Sequence, residues 1–223
     1  MTAPADLTPD RAQDVLLDEL ERDALTELIN IGVSRAAASL RKMVGQEVLL
    51  SIPSIEAVSR RTAASLIAER ENGELVAVHQ GFSGAFSGRA LLIFPPSTSL
   101  ELVRAVAGPE LDAGELIEIE REALAEIGNV ILNGCLASMA NMLKQPLSMS
   151  LPEVMRGDGL RLFEADERPG HDDLVLFLYI NFIVRNRDIR GYIAMLMDIP
   201  SLAVLKRLID QFITSVMSDD PAA

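Results

Sequence analysis

Apolar residues recur at helical spacing in two stretches of the chain. Leu25, Leu28 and Ile31 mark residues 22–43, and Leu124, Ile127 and Ile131 mark residues 121–142. Intervals of three and four put each set on one face of a helix, so these stretches predict two long amphipathic helices with that face inward and a polar stripe outward. Residues 73–79 and 89–94 are β-rich runs on either side of the glycine-rich turn GFSGAFSG, which predicts a hairpin. Residues 173–184 and 191–197 flank the polar turn RNRDIR in the same way. Each hairpin then meets a proline and a further helical pattern, 95–108 and 199–212, with a serine expected at the cap.

The pattern repeats itself. Residues 22–55 align without a gap on residues 121–154 at an offset of 99, and eleven of the thirty-four pairs are identical. Ordinary composition would give roughly two. Among the identities are Glu27/Glu126, Asn30/Asn129, Gln46/Gln145, Ser51/Ser150 and Pro53/Pro152. The order in each half is long helix, strand, variable segment, hairpin, helix. The variable segment is helical in pattern over 55–69 and reads as loop over 156–172. Neither half has enough strands to close a core alone. The expected fold is therefore α+β: one internally duplicated, pseudo-two-fold domain over residues 21–217, with repeats at about 21–110 and 111–217. It would hold about six mostly antiparallel strands under long surface helices. Residues 1–20 are expected to be a tail running into helix, and 218–223 a frayed end.

Composition narrows the chemistry. The chain has 223 residues, 49% of them apolar, and a net charge of −13, which suits a globular core and disfavours nucleic acid or an anionic membrane surface as partner. One cysteine and two histidines, Cys135, His79 and His171, leave little for a metal site, a disulfide or a catalytic triad. Cys135 reads as a buried small side chain. The longest strongly apolar stretch, 174–184, is too short to span a bilayer, and residues 1–10 lack an export signal, so a cytoplasmic protein is expected. No G-x-G-x-x-G, G-x-S-x-G or phosphate-binding G-x-x-x-x-G-K-[ST] motif occurs. The small residues Gly32, Ala36, Gly134 and Ala137 suit close helix packing.

What remains is a polar stripe presented twice. Glu27 and Asn30, like Glu126 and Asn129, are three apart and share a helix face, with Asp23 and Glu122 one turn earlier. A helix from Asn30 to Met43 advances about 20 Å, and the strand from Glu47 to Pro53 returns about 20 Å. Pro53 should thus lie level with Asn30, and Pro152 level with Asn129. For an isolated Glu/Asn pair a solvated helix face is the better explanation; duplication with the proline argues otherwise.

The pattern Asp23-x3-Glu27-x2-Asn30-x22-Pro53, with Glu126-x2-Asn129-x22-Pro152, resembles the signature of the CheC/CheX/FliY phosphatase family of bacterial chemotaxis. Two motif copies look like the CheC branch, since CheX members carry one copy and FliY members add a C-terminal domain with no counterpart in these residues. The resemblance implies dephosphorylation of the phosphoaspartate of a CheY-like response regulator. Asn30 and Asn129 would orient a water, and Glu27 and Glu126 would pair with a regulator lysine. Magnesium would sit on the regulator, with no cofactor or metal bound by this chain. Asp23, Glu122 and Asn133 are candidate partner contacts, Asn133 also reading as a solvated helix residue, and Pro53 and Pro152 are structural members of the motif. CheD is a further candidate partner. Two departures stand out: Ile29 replaces the glycine that precedes the asparagine in the other copy, and either crowds the docking helix or points into the core; Glu122 stands where Asp or Ser is more usual. The alternative is a non-catalytic binding module, either a FliM- or FliY-like switch scaffold or a regulator of CheD.

Overall fold

Strands apolar at consecutive positions belong to a sheet covered on both faces. The computed structural model, which describes residues 17–45, 47–71, 73–108, 112–164, 173–184 and 187–218, has such a sheet. Its elements run α1 (Glu19–Val44), β1 (Val48–Ser51), β2 (Ile55–Ser59), α2 (Arg60–Arg70), β3 (Leu75–Gly84), β4 (Gly88–Phe94), α3 (Pro96–Ala107), α4 (Ala113–Met142), β5 (Leu147–Met149), β6 (Glu153–Gly157), α5 (Gly159–Glu164), β7 (Asp173–Val184), β8 (Arg187–Asp198) and α6 (Ile199–Ser218). In β4, Ala90, Leu92 and Phe94 face one core while Leu91 and Ile93 face another. The larger core lies under α1, α3, α4 and α6; the smaller lies under α2 and α5 on the opposite face.

All the strand pairings are antiparallel. The middle of the sheet runs β7-β8-β4-β3, with β4 against β8 where the two halves meet. β1 and β2 lie end to end along β7, and β5 and β6 end to end along β3. Each half thus supplies a broken edge strand to the hairpin of the other. Eight strands fill six places, and the intertwined duplicated α+β fold is the one expected.

Several local expectations change. Residues 55–69 are not helical throughout: β2 takes the first five and α2 follows, capped by Ser59. Residues 156–172 are not all loop, since β6 extends to Gly157 and α5 follows, while 165–172, with His171, lie outside the described residues. β2–α2 and β6–α5 are therefore counterparts, and the duplication is more complete than the sequence suggested. Serine does not cap the helices after the hairpins. Pro95 precedes α3 with no side-chain bond to it, and the Asp198 carboxylate accepts the Ser201 N–H at the start of α6, at 2.7 Å. Ile31 is only half-buried; Ile29 is fully buried and takes the core position, which settles where its branched side chain goes. Residues 1–16 and 219–223 lie outside the described residues.

Both long helices begin with a reciprocal capping box, Asp18 with Glu21 and Asp112 with Glu115. Glu21 and Glu120, identical at the same offset of 99, are both buried and both paired: Glu21 with Lys206 of α6 at 3.3 Å, and Glu120 with Arg156 and, at 2.7 Å, the Ser99 hydroxyl of α3. They tie each long helix to its surroundings. By length and composition, α4 over Gly114–Met142 is apolar enough to cross a membrane, although charged residues interrupt its runs, and half of that window is buried inside the fold.

The long helices cross where their side chains vanish. A Cβ on Gly32 would lie 2.5 Å from the Gly134 carbonyl, and one on Gly134 would lie 2.9 Å from the Ala36 Cβ. Cys135 sits in this crossing, buried, and burial pushes its thiol up from 9.0 to about 12. Nearly two turns earlier α4 presses on β3, where a Cβ on Gly128 would come within 2.5 Å of Val78.

Two outcomes follow from this packing. Cys135 should stay unmodified by a thiol reagent at pH 8 in the native protein and react at once in denaturant. Because only the unfolded thiol ionises between about pH 9 and pH 12, the thiol contributes stability below that window that is lost as pH rises through it. Gly128→Ala should lower unfolding free energy in urea titrations by about 1–3 kcal/mol, since Val78 sits in a packed strand and must shift. The double variant with Val78→Ala should lose less than the two single losses added together.

Candidate functional site

Each edge strand carries one residue too many. Between the Ser51–Asn181 and Ile55–Leu178 pairs the edge chain advances four residues while β7 advances three. Between the Met149–Phe82 and Glu153–His79 pairs it again advances four against three. Proline sits in both bulges, Pro53 in one and Pro152 in the other, consistent with a residue that cannot donate to a ladder. A bulge leaves backbone N–H and C=O groups without strand partners, and near a core these must be met from elsewhere.

In the first half the partner is the motif asparagine. The Asn30 Nδ2 donates to the Ile52 carbonyl at 3.1 Å, and its Oδ1 accepts the Ile52 N–H at 2.9 Å. The carboxamide stands in for a missing strand. This is the juxtaposition of Asn30 and Pro53 that helix rise and strand rise predict. Asn30 is half-buried, Pro53 exposed, and Ile52 points into the core with 2% of its surface exposed.

The second half meets the same demand differently. Gln80, buried on β3, donates its Nε2 to the Ser150 carbonyl at 2.7 Å and, at 3.4 Å, to the Asn129 Oδ1. The Ser150 hydroxyl accepts the Gly81 N–H at 2.9 Å and donates to the Leu151 carbonyl at 3.0 Å. The Asn133 Nδ2 donates to the Asn129 Oδ1 at 2.6 Å. The carbonyl end of Asn129 is thus held twice, and its Nδ2 has no protein partner among the described residues. Leu151, the counterpart of buried Ile52, is turned out and 84% exposed.

Around both carboxamides the stripe is as expected. Asp23, Glu27, Glu122 and Glu126 are exposed, and none of the four has an ion-pair partner among the described residues. Asn129, Asn133 and Pro152 are half-buried. Asn133 is tied to Asn129 as well as reachable from outside. A shallow groove between α4 and the second bulge, lined by Arg121, Glu122, Ala125, Pro152 and Val154, runs beside the second stripe. The arrangement offers a fixed carboxamide, an acceptor for a cation one turn away, and a firm bulge beneath them. His79 contacts Glu153 at 3.5 Å on β3 and takes no part in either stripe. Among the described residues no group of three or more histidine, cysteine or acidic side chains could hold a metal.

Gln80 was missed in the sequence, although a signal was there. Val76, Val78 and Phe82 face the larger core, and Gln80 is the polar residue in that apolar alternation.

Comparison with known proteins agrees with this geometry. The family model described as chemotaxis phosphatase CheX matches residues 76–171. The flagellar motor switch phosphatase FliY of Bacillus subtilis is 26% identical over 158 residues, 70% of this chain but only 39% of that protein, so the chain spans well under half of its length. The CheY-P phosphatase CheC of the same organism is 23% identical over 141 residues, 62% of this chain and 67% of that one. Among solved structures, Thermotoga maritima FliY superposes with a TM-score of 0.68 at 17% identity, covering 88% of this chain and 98% of that one. The FliM middle domain of Vibro alginolyticus gives 0.58 at 11% identity, covering 82% and 99%. The family match over residues 76–171 and these relatives, beside the duplicated Glu/Asn/Pro signature, make the chain similar to the CheC/CheX/FliY chemotaxis phosphatases.

Proposed function

We propose that this chain hydrolyses the aspartyl phosphate of a CheY-like response regulator and so ends a chemotactic signal in the cytoplasm. The observation that carries the reading is the paired arrangement of a half-buried carboxamide over a proline bulge with an exposed, unpaired carboxylate one turn before it, present in both halves. Relatives of this family bear the name CheY-P phosphatase, which supports the same substrate class.

Phosphoryl transfer through a loose transition state calls for positioning and charge neutralisation more than for a protein nucleophile. In this reading the regulator brings the phosphoryl group, its own magnesium ion and a lysine, and Glu27 or Glu126 accepts the lysine's ammonium group. Asn30 or Asn129 fixes a water in line with the phosphorus. The water oxygen bonds to phosphorus, the bond to the regulator's aspartate breaks, and the water's protons pass to phosphate and solvent. Asp23, Glu122 and Asn133 contact the partner around this point, and the chain contributes no cofactor of its own. The second site is the stronger one, because its amide nitrogen is uncommitted. CheD is a second proposed partner.

The likeness to the FliM middle domain supports a second reading, a switch scaffold that binds without turnover. A scaffold has no need of the Glu/Asn pair twice. Phosphate release from a receiver phosphorylated with acetyl phosphate separates the two. The wild type should accelerate release, Asn129→Ala should lose most of that acceleration, and Asn30→Ala with Asn129→Ala should lose about 10²-fold or more. Stoichiometric binding with an unaccelerated wild type would favour the scaffold. Glu126→Lys should raise KM for the receiver more than it lowers kcat, read from the same assay across receiver concentrations.

A further inference from the structure

The two halves place different residues at one structural position. Counting along the matching pairs, Val78 faces Val154 as Leu178 faces Ile55, so Gln80 of β3 corresponds to Ile180 of β7. Ile180 is a buried core residue with no polar demand. Gln80 is 1% exposed, and its Oε1 is a buried acceptor with no hydrogen-bond partner. An orphaned buried amide oxygen costs free energy that an aliphatic side chain in that place does not. The cost is offset by what the other end of the amide does. Its Nε2 takes the Ser150 carbonyl freed by the bulge, the kind of duty that Asn30 discharges for Ile52, and it reaches the Asn129 Oδ1 as well.

On the phosphatase reading above, we infer that Gln80 is the positioning residue of the second site. By taking over the bulge it releases Asn129 from backbone duty. With Asn133 it fixes the Asn129 carbonyl end, so the two N–H groups of Nδ2 face outward. An N–H donated to a water oxygen occupies one lone pair and leaves the other directed at phosphorus. Gln80 itself does not touch the substrate. The first site, with Ile180 in the corresponding place, has its carboxamide committed to Ile52 and is the weaker catalyst.

The test uses the full chain and a CheY-type receiver phosphorylated with acetyl phosphate. Two variants remove the amide: Gln80→Met, which keeps the shape, and Gln80→Ile, which copies the other half. Each is checked for folding by thermal melting. The expected result is a fall in kcat of about ten- to a hundredfold with KM within twofold and one cooperative melting transition close to that of the wild type. In an Asn129→Ala background the same substitutions should cause no further loss, because their effect runs through Asn129. Wild-type kcat in a folded Gln80 variant, alongside a strong Asn129→Ala defect, would overturn the inference and leave the phosphatase reading standing. So would failure of both variants to fold, which would make Gln80 a structural residue. Wild-type turnover in the Asn30→Ala, Asn129→Ala double variant would instead remove the phosphatase reading, and this inference with it.

Discussion

The structure turns on two places where an edge strand has one residue more than its partner can pair. A backbone N–H or C=O left over beside a packed core must find another partner, because burying it unmet costs more than most single contacts supply. In the first half the partner is Asn30 from the middle of α1; in the second it is Gln80 of β3, which also reaches Asn129 of α4. The demand fixes the proline, which removes one donor from the problem. It also explains why a carboxamide, with a donor and an acceptor side by side, sits at each bulge: Asn30 reproduces the hydrogen-bond pattern of a strand on Ile52.

The same demand, met in two ways, breaks the symmetry of the duplicated fold. In the first half the asparagine serves the backbone, Ile52 turns inward and Ile29 fills the space beneath the helix. In the second, Gln80 serves the backbone, Leu151 turns outward, and Gly128 lets α4 settle against Val78 with no side chain between. The differences at Ile29/Gly128 and Ile180/Gln80 form one coordinated set. Duplication supplied two similar frames, and these substitutions gave the frames different carboxamides.

Much of this was legible in the sequence because its causes are local or periodic. The long helices, both hairpins, the small residues at the helix crossing and the level of Asn30 with Pro53 follow from 3.6- and 2-residue periods and from the rise per residue. The edge strands after each proline are short and run straight into helices: over 55–69 the helical period masks β2, and after β6 the glycines and acidic residues of 156–172 read as loop. Serine caps neither helix after the hairpins: Pro95 precedes α3 with no side-chain bond, and at α6 Asp198, the last residue of a strand, takes the Ser201 N–H. Gln80 was illegible as a functional residue for a different reason. Its partners, Asn129 and Ser150, are 49 and 70 residues away and meet it only through strand exchange between the halves. The sequence could have flagged a polar residue on an inward strand face, but not what it was there to hold.

Glu27 and Glu126 stand exposed and without an ion-pair partner among the described residues beside each carboxamide, and the proposed function assigns them a cation carried by a receiver. The most direct measurement of that claim is the structure of this protein bound to a CheY-like receiver whose aspartate carries beryllofluoride and magnesium. The account predicts the Asn129 amide nitrogen within hydrogen-bonding reach of the beryllofluoride or of a water beside it, the Gln80 bonds intact and a receiver lysine on Glu126. A receiver seated on α6 or on the outer face of α2, with Asn129 still in open solvent, would contradict it.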